Sequence, residues 1–147
     1  MDAENCFQVF DWLWSSGQLS AADIEKLPNY KIQHVINIAL PTSNPRLERE
    51  AELITGLGIN YFHIPVTWEN PEPEKLATFI ALLTSLKGQP TWVHCAKNYR
   101  VSAFIYLFRK LHLQEQDEIA NFPMKEIWQP NEVWAEFILQ AKSNKLG

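Results

Sequence analysis

Short β-branched runs alternate along this 147-residue chain with segments whose apolar residues recur every three or four positions. His34–Ala39 (HVINIA), Tyr61–Val66 (YFHIPV) and Thr91–Cys95 (TWVHC) are brief and apolar, as expected of strands covered on both faces. A looser aromatic alternation over residues 7–15 predicts a first strand near Trp12–Ser15. Ser16-Gly17-Gln18 then turns the chain. Ser20-Ala-Ala-Asp23 has the form of a capping box, opening a helix that runs to about Leu27 and stops at Pro28-Asn29. Leu47, Ala51, Ile54 and Leu57 mark a helix over Arg46–Leu57, with Gly58 suited to the left-handed position that ends it. Leu76, Phe79, Ile80, Leu83 and Leu86 line one face of a helix over Glu74–Lys87, which Gly88 stops. Val101–Leu111 is apolar all round, the mark of a helix covered on several sides. Two further helices follow, over Glu115–Phe122 and Asn131–Ala141. The second has Asn131 as its cap and Val133, Trp134, Phe137, Ile138 and Ala141 on one face.

Strand and helix alternate at least three times through connections too long for hairpins. The pattern predicts an α/β fold, one domain over residues 1–147, with a mainly parallel central sheet of four to five strands flanked by helices. Sheets of this kind bind ligands beyond the carboxyl ends of their strands. Three loops converge there: Leu40–Pro45, Thr67–Pro73 and Ala96–Tyr99.

Composition narrows the classes. A net charge of −4 argues against a general nucleic-acid binder. No run approaches the ~20 apolar residues that span a bilayer, so no membrane partner is expected. The two cysteines, Cys6 and Cys95, form no disulfide framework, and the N-terminus lacks a secretory signal, so a reduced, cytoplasmic protein is expected. His34 and His63 fall within strands as core or sheet-edge residues. No His/Cys/Asp cluster has metal-ligand spacing, so neither metal nor cofactor is implied. Nothing in the pattern sets an oligomeric state.

The candidate chemistry lies in Val93–Ser102 (VHCAKNYRVS), where a strand delivers His94 and Cys95 into a short polar turn before Arg100, Ser102 and the apolar helix. A thiol at the start of a helix faces free backbone N–H groups, which favour both a thiolate and a bound oxyanion. The bland alternative is an inert core cysteine.

The order strand, His-Cys, tight loop, Arg, Ser, helix resembles the signature of the cysteine-based protein tyrosine and dual-specificity phosphatases. Ser16–Gln18 (SGQ), Val35–Ile38 (VINI) and Tyr61–Val66 resemble compact bacterial members, so the likeness spans roughly Leu13 to Ile138. It implies a dual-specificity phosphatase-like fold and hydrolysis of phosphomonoesters through a phosphocysteine on Cys95. Arg100 would clamp two phosphate oxygens, and an acid on a separate loop would protonate the leaving group. The loop residues Ala96, Lys97, Asn98, Tyr99, Val101 and Ser102 would then surround the anion. His94 would order the loop from behind, and Ser102 would donate to the Cys95 sulfur.

The family has five residues between Cys and Arg, with glycine third after the cysteine; here there are four. The Cys95-to-Ser102 step keeps the family's length, as if Arg100 and Val101 had exchanged places. Asn98 then takes the glycine position, where Asn is the best non-glycine choice for a left-handed turn. The other alignment is a loop shortened by one residue, similar to that of rhodanese-like sulfurtransferases, where a smaller cup cradles a Cys95 persulfide. A third reading is a pseudophosphatase that binds phosphorylated partners, phosphate or sulfate without turnover. The loop after Tyr61–Val66 lacks Asp, so Glu69 is the candidate acid, with Glu72 and Glu74 behind it; the alternative for Glu69 is a solvated loop carboxylate. Lys97 either steers anions or is a solvated loop lysine. Trp68, on the same loop as Glu69, is placed to line the entrance or stack on an aromatic substrate, whereas Trp128 and Trp134 read as core.

Overall fold

Strand β3 (His34–Asn37) divides the core in two. In the computed structural model, which describes residues 1–144, all four of its residues are buried. Val35 packs on one face of the sheet with Trp92, Leu19, Ile24 and Ile54. Its neighbour Ile36 packs on the other with Val93, Leu13, Phe79, Phe104 and Trp134. This alternation follows from the two-residue period of a strand.

The sheet has five strands in the order β1-β2-β5-β3-β4. Strands β2 (Leu13–Ser16), β5 (Thr91–His94), β3 and β4 (Asn60–His63) are parallel, and β1 (Phe7–Phe10) runs antiparallel to β2. The architecture is the expected α/β one. In place of a single strand near Trp12–Ser15 there are two, because the chain reverses between Phe10 and Leu13 and pairs Phe7 with Ser15.

On one face lie α1 (Ala21–Lys26) and α2 (Glu50–Thr55); on the other lie α3 (Pro73–Ser85), α4 (Tyr99–Leu107) and α7 (Glu132–Asn144), with the short α5 (Asp117–Ala120) and α6 (Met124–Ile127) between them in sequence. The Ser20–Asp23 capping box forms with both of its hydrogen bonds. Phe104 of α4 and Trp134 of α7 are fully buried, and truncating either to Ala would cost about 3–5 kcal/mol.

Three helices depart from expectation. α2 begins at Glu50 rather than Arg46, since Arg49 is left-handed (φ 61°) and a right-handed helix cannot run through it. Helix α4 starts two residues early, at Tyr99, and passes into a π-helical turn over Phe108–His112. Residues 115–122 give only the four-residue α5, preceded by left-handed Gln114 (φ 56°). On α7 the buried positions are Trp134, Phe137 and Ala141, while Val133 is 46% exposed. Val133 lies about 100° around the helix from Trp134, outside the buried stripe.

Candidate active site

Between the end of β5 at His94 and the start of α4 at Tyr99 only Cys95–Asn98 are available to reverse the chain. The reversal is made by Asn98 in the left-handed conformation (φ 70°, ψ 9°), a position that suits Asn among residues bearing a Cβ. The Asn98 side chain turns inward, and its Nδ2 donates to Asn5 O (2.7 Å) and Ser15 Oγ (3.0 Å).

Three successive carbonyls of this loop are engaged from behind. Cys95 O lies 3.2 Å from His94 Nδ1, Ala96 O accepts from Gln18 N (2.9 Å), and Lys97 O accepts from Asn5 Nδ2 (2.9 Å). In a trans peptide the carbonyl and the following N–H point in opposite directions. The N–H groups of Ala96, Lys97 and Asn98 are therefore turned away from these donors, and none meets a protein acceptor among the described residues. Gly17 makes the close approach possible. A Cβ there would stand 2.7 Å from Ala96 O and 3.1 Å from Lys97 Cα.

Behind the loop sits a buried polar network. His94 Nε2 donates to Glu50 Oε2 at 2.7 Å, and both side chains are almost wholly enclosed. Tyr61 donates its hydroxyl to the same oxygen (2.7 Å), and Gln18 Nε2 donates to Glu50 Oε1. Asn37 Nδ2 in turn donates to the Tyr61 hydroxyl (2.9 Å). Burial pushes the Glu50 carboxyl up, but the hydrogen bond and charge of His94, with the bonds from Tyr61 and Gln18, outweigh it and hold the group below its ordinary value. Burial and the Glu50 charge raise the Tyr61 phenol well above its own.

In front of the loop is a cavity of about 420 Å³, lined by Cys95, Ala96, Lys97, Tyr99 and Arg100, by Trp68 and Glu69 from the loop after β4, and by Leu40, Thr42, Ser43 and Asn44 from the loop after β3. The three loops expected to converge do so. Arg100 is buried, with Nη1 donating to Val66 O (2.9 Å) and Nη2 to Ser43 Oγ (3.4 Å). A guanidinium has five N–H donors, so three remain. Glu69 and Lys97 are exposed on the rim. Trp68, Tyr99 and Trp128 form an aromatic wall, with Tyr99 stacked on Trp128 at 4.9 Å and Trp68 5.5 Å from Trp128.

Four of the expected site residues have side chains outside the cavity. His94 lies behind the loop, Asn98 turns inward, and Val101 is in the core. Ser102 does not donate to the Cys95 sulfur. Its one hydroxyl proton goes to Tyr99 O (2.7 Å), and its oxygen accepts from Trp128 Nε1 (2.9 Å), so it serves the aromatic wall instead. Trp128 is correspondingly half-buried beside the site, while Trp134 is core as expected. Glu72 and Glu74 do not line the cavity; they open α3. Among the described residues no group of His, Cys, Asp and Glu has the arrangement to hold a metal ion. Asn5, Asn37, Ser43 and Glu50 carry contacts that no motif in the sequence announced.

A thiol at the carboxyl edge of a parallel sheet, at the foot of a helix whose first turn carries arginine, is the arrangement of the cysteine-based tyrosine and dual-specificity phosphatases. Solved structures agree. A candidate phosphatase of family DUF442 from Shewanella putrefaciens CN-32 superposes with a TM-score of 0.84 at 30% identity, over 99% of this chain and 95% of that one. The chain belongs to that family and, through it, to the phosphatase superfamily. More distant structures share the fold: the core catalytic domain of the PP-IP phosphatase SIW14 from S. cerevisiae (TM-score 0.72, 17% identity, 99% and 96% of the two chains) and TpbA from P. aeruginosa (0.75, 13%, 97% and 88%). No family model and no curated protein sequence matches the chain. The protein is thus a phosphatase-like hydrolase by family. No helix among the described residues is long and apolar enough to cross a membrane.

Proposed function

We propose that the protein hydrolyses phosphomonoesters of the tyrosine or aryl type through a phosphocysteine on Cys95. The observation that carries this is the set of three consecutive loop carbonyls held from behind. It leaves the N–H groups of Ala96, Lys97 and Asn98 to meet phosphoryl oxygens on the Cys95 side. The Cys95 thiolate attacks phosphorus, forming the S–P bond as the P–O bond to the leaving group breaks. Arg100 contributes its remaining donors to the equatorial oxygens. Glu69, on the facing rim, gives the leaving oxygen its proton, then takes one from the water that cleaves the S–P bond and releases inorganic phosphate. Trp68 and Tyr99 offer flat apolar surface to an aryl group. A cytoplasmic location suits the chemistry, since Cys6 and Cys95 are both unpaired thiols.

A second reading is favoured by one observation. Two of the Arg100 donors are committed to Val66 O and Ser43 Oγ, which suits a site that holds phosphate or a phosphorylated partner without turning it over. One experiment separates these readings. With a chelator present, p-nitrophenyl phosphate should be hydrolysed, and Cys95→Ser should lower the rate on the order of 10⁴-fold or more with an unchanged melting temperature. Phosphate that raises the melting temperature with no turnover of any phosphoester would establish the binding reading instead. Transfer of one sulfur from thiosulfate to Cys95, read as a mass gain, would replace both with a sulfurtransferase.

A further inference from the structure

Glu50 is a charged residue in a place where charge is costly. It is 6% exposed, and its carboxylate accepts from three side chains on three different segments: Gln18 after β2, Tyr61 on β4 and His94 on β5. A buried carboxylate persists only where its lone pairs are matched in this way. Helix stability gives it no reason to point inward, since α2 begins at Glu50 itself and an exposed acid there would serve the helix dipole equally well.

The contact with His94 has a consequence at the reacting end of the loop. Both ring nitrogens of His94 face acceptors: Nε2 faces Glu50 Oε2 at 2.7 Å, and Nδ1 faces Cys95 O at 3.2 Å. Carboxylate and carbonyl oxygens only accept, so the ring is the donor in each contact, and the Glu50 carboxylate fixes its orientation. The Cys95 carbonyl so held fixes the plane of the Cys95–Ala96 peptide, and with it the direction of the first N–H of the anion cup. Ala96 O and Lys97 O are held by Gln18 N and Asn5 Nδ2. Among these three braces the Cys95 one alone runs through a side chain that is itself held by a buried carboxylate.

Resting on the phosphatase reading above, we infer that Glu50 is a positioning residue for the Cys95 reaction: it holds His94 so that the Cys95 carbonyl stays turned to the rear and the Ala96 N–H faces the phosphoryl oxygens and the thiolate. Glu50 acts through His94 and touches no reacting atom. The titratable groups that face it are His94 on β5 and Tyr61 on β4. Arg46, Glu48, Arg49, Glu52 and His63 line the second cavity beside it, where Arg49 and Glu52 pair with each other at 2.7 Å.

The test uses the full chain in a Cys6→Ser background, because Cys6 is exposed and would also be alkylated. The pH dependence of Cys95 alkylation by iodoacetamide is followed in wild type, Glu50→Gln, His94→Asn and the double variant. Protection of Cys95 by inorganic phosphate and turnover of p-nitrophenyl phosphate are measured beside it. In Glu50→Gln the alkylation midpoint should rise by about half a pH unit or more. Turnover should fall roughly 10–100-fold, as for other residues that orient a reacting group from behind. Added to His94→Asn, the same substitution should change each readout by less than about twofold, because it acts through that histidine. An unchanged alkylation profile in Glu50→Gln, or an equal loss with and without His94, overturns the inference. If Glu50→Gln does not fold, Glu50→Asp keeps the charge but withdraws it from Nε2; a smaller shift in the same direction supports the role, and an unchanged profile overturns it. If wild type hydrolyses no phosphoester, the phosphatase reading fails by itself, and the alkylation and phosphate-protection arms still decide the role of Glu50.

Discussion

Behind Cys95, His94 is fully buried and bonded at both ring nitrogens, and Glu50, Tyr61, Gln18 and Asn37 extend that bonding into the core. In front of it, Glu69 and Lys97 are exposed, and neither side chain makes a hydrogen bond to the protein among the described residues. The rear of the loop sets the shape offered to an anion. The front carries side chains that face solvent, and the proposed reaction assigns proton transfer and substrate contact to them. The rear is held by hydrogen-bonded buried side chains, which are expensive to disturb, whereas the rim is exposed, where substitution is cheap.

The contrast can be attacked from either side. The largest effect is expected at Arg100, which is buried yet lines the cavity in front of Cys95. Arg100→Lys keeps the charge but loses the planar fork. It should lower turnover of an aryl phosphate roughly 10²–10³-fold, with weaker phosphate protection in a melting assay. A variant with wild-type turnover would show that the guanidinium serves only Val66 and Ser43. Next comes Gly17→Ala, where the new methyl must displace the Ala96 carbonyl. A loss of about 1–3 kcal/mol in urea unfolding is expected, with a fall in turnover at temperatures where the variant remains folded. Full activity in a destabilised Gly17→Ala would mean that the rear does not set the cup.

Asn98 permits a finer cut. Asn98→Ala and Asn98→Gly both lose the bonds to Asn5 and Ser15, but only glycine accepts the left-handed backbone freely. Alanine should therefore be the less stable of the two by about 1–2 kcal/mol, measured as a difference in unfolding free energy. The smallest effect concerns pH. The folded-state carboxyl of Glu50 lies below its ordinary value of 4.5, so the stability it contributes is present above that value and is lost as pH falls through the folded one. Acid unfolding curves of Glu50→Gln should be flatter than wild type below pH 4.5, and identical slopes would place the acid sensitivity elsewhere.

Much of this arrangement is legible in the residue order, and what is not has physical reasons. The β-branched run of β3, the stripe of α3 and the Ser20–Asp23 box are local signals, and local signals survive folding. The left-handed turn at Asn98 is legible too, because steric limits on φ are a property of the residue itself. Glu50 was hidden by the stripe Leu47, Ala51, Ile54, Leu57, which reads as a longer helix. The available clue was that Glu50 stands four residues before Ile54 and so shares its buried face. Ser102 shows the opposite failure. Its sequence distance from Cys95 fits a sulfur contact, but its hydroxyl donates to Tyr99 O and accepts from Trp128, 26 residues further on. Asn5 left no signal, since a polar residue near the start of a chain is ordinarily solvated.

The contact of Asn5 with Lys97 spans 92 residues, and β2 pairs with β5 rather than with the next strand in the chain. Synthesis therefore delivers the braces Asn5, Gly17 and Gln18 long before the Cys95–Asn98 loop that they hold. Before β5 joins the sheet, β2 has an open edge on that side and Gly17 lacks its close approach to Ala96. Cys95 and the residues that brace its loop come together only when β5 is inserted between β2 and β3. The pairing of Leu13–Ser16 with Thr91–His94 joins segments far apart in the chain, the kind of contact whose closure slows folding.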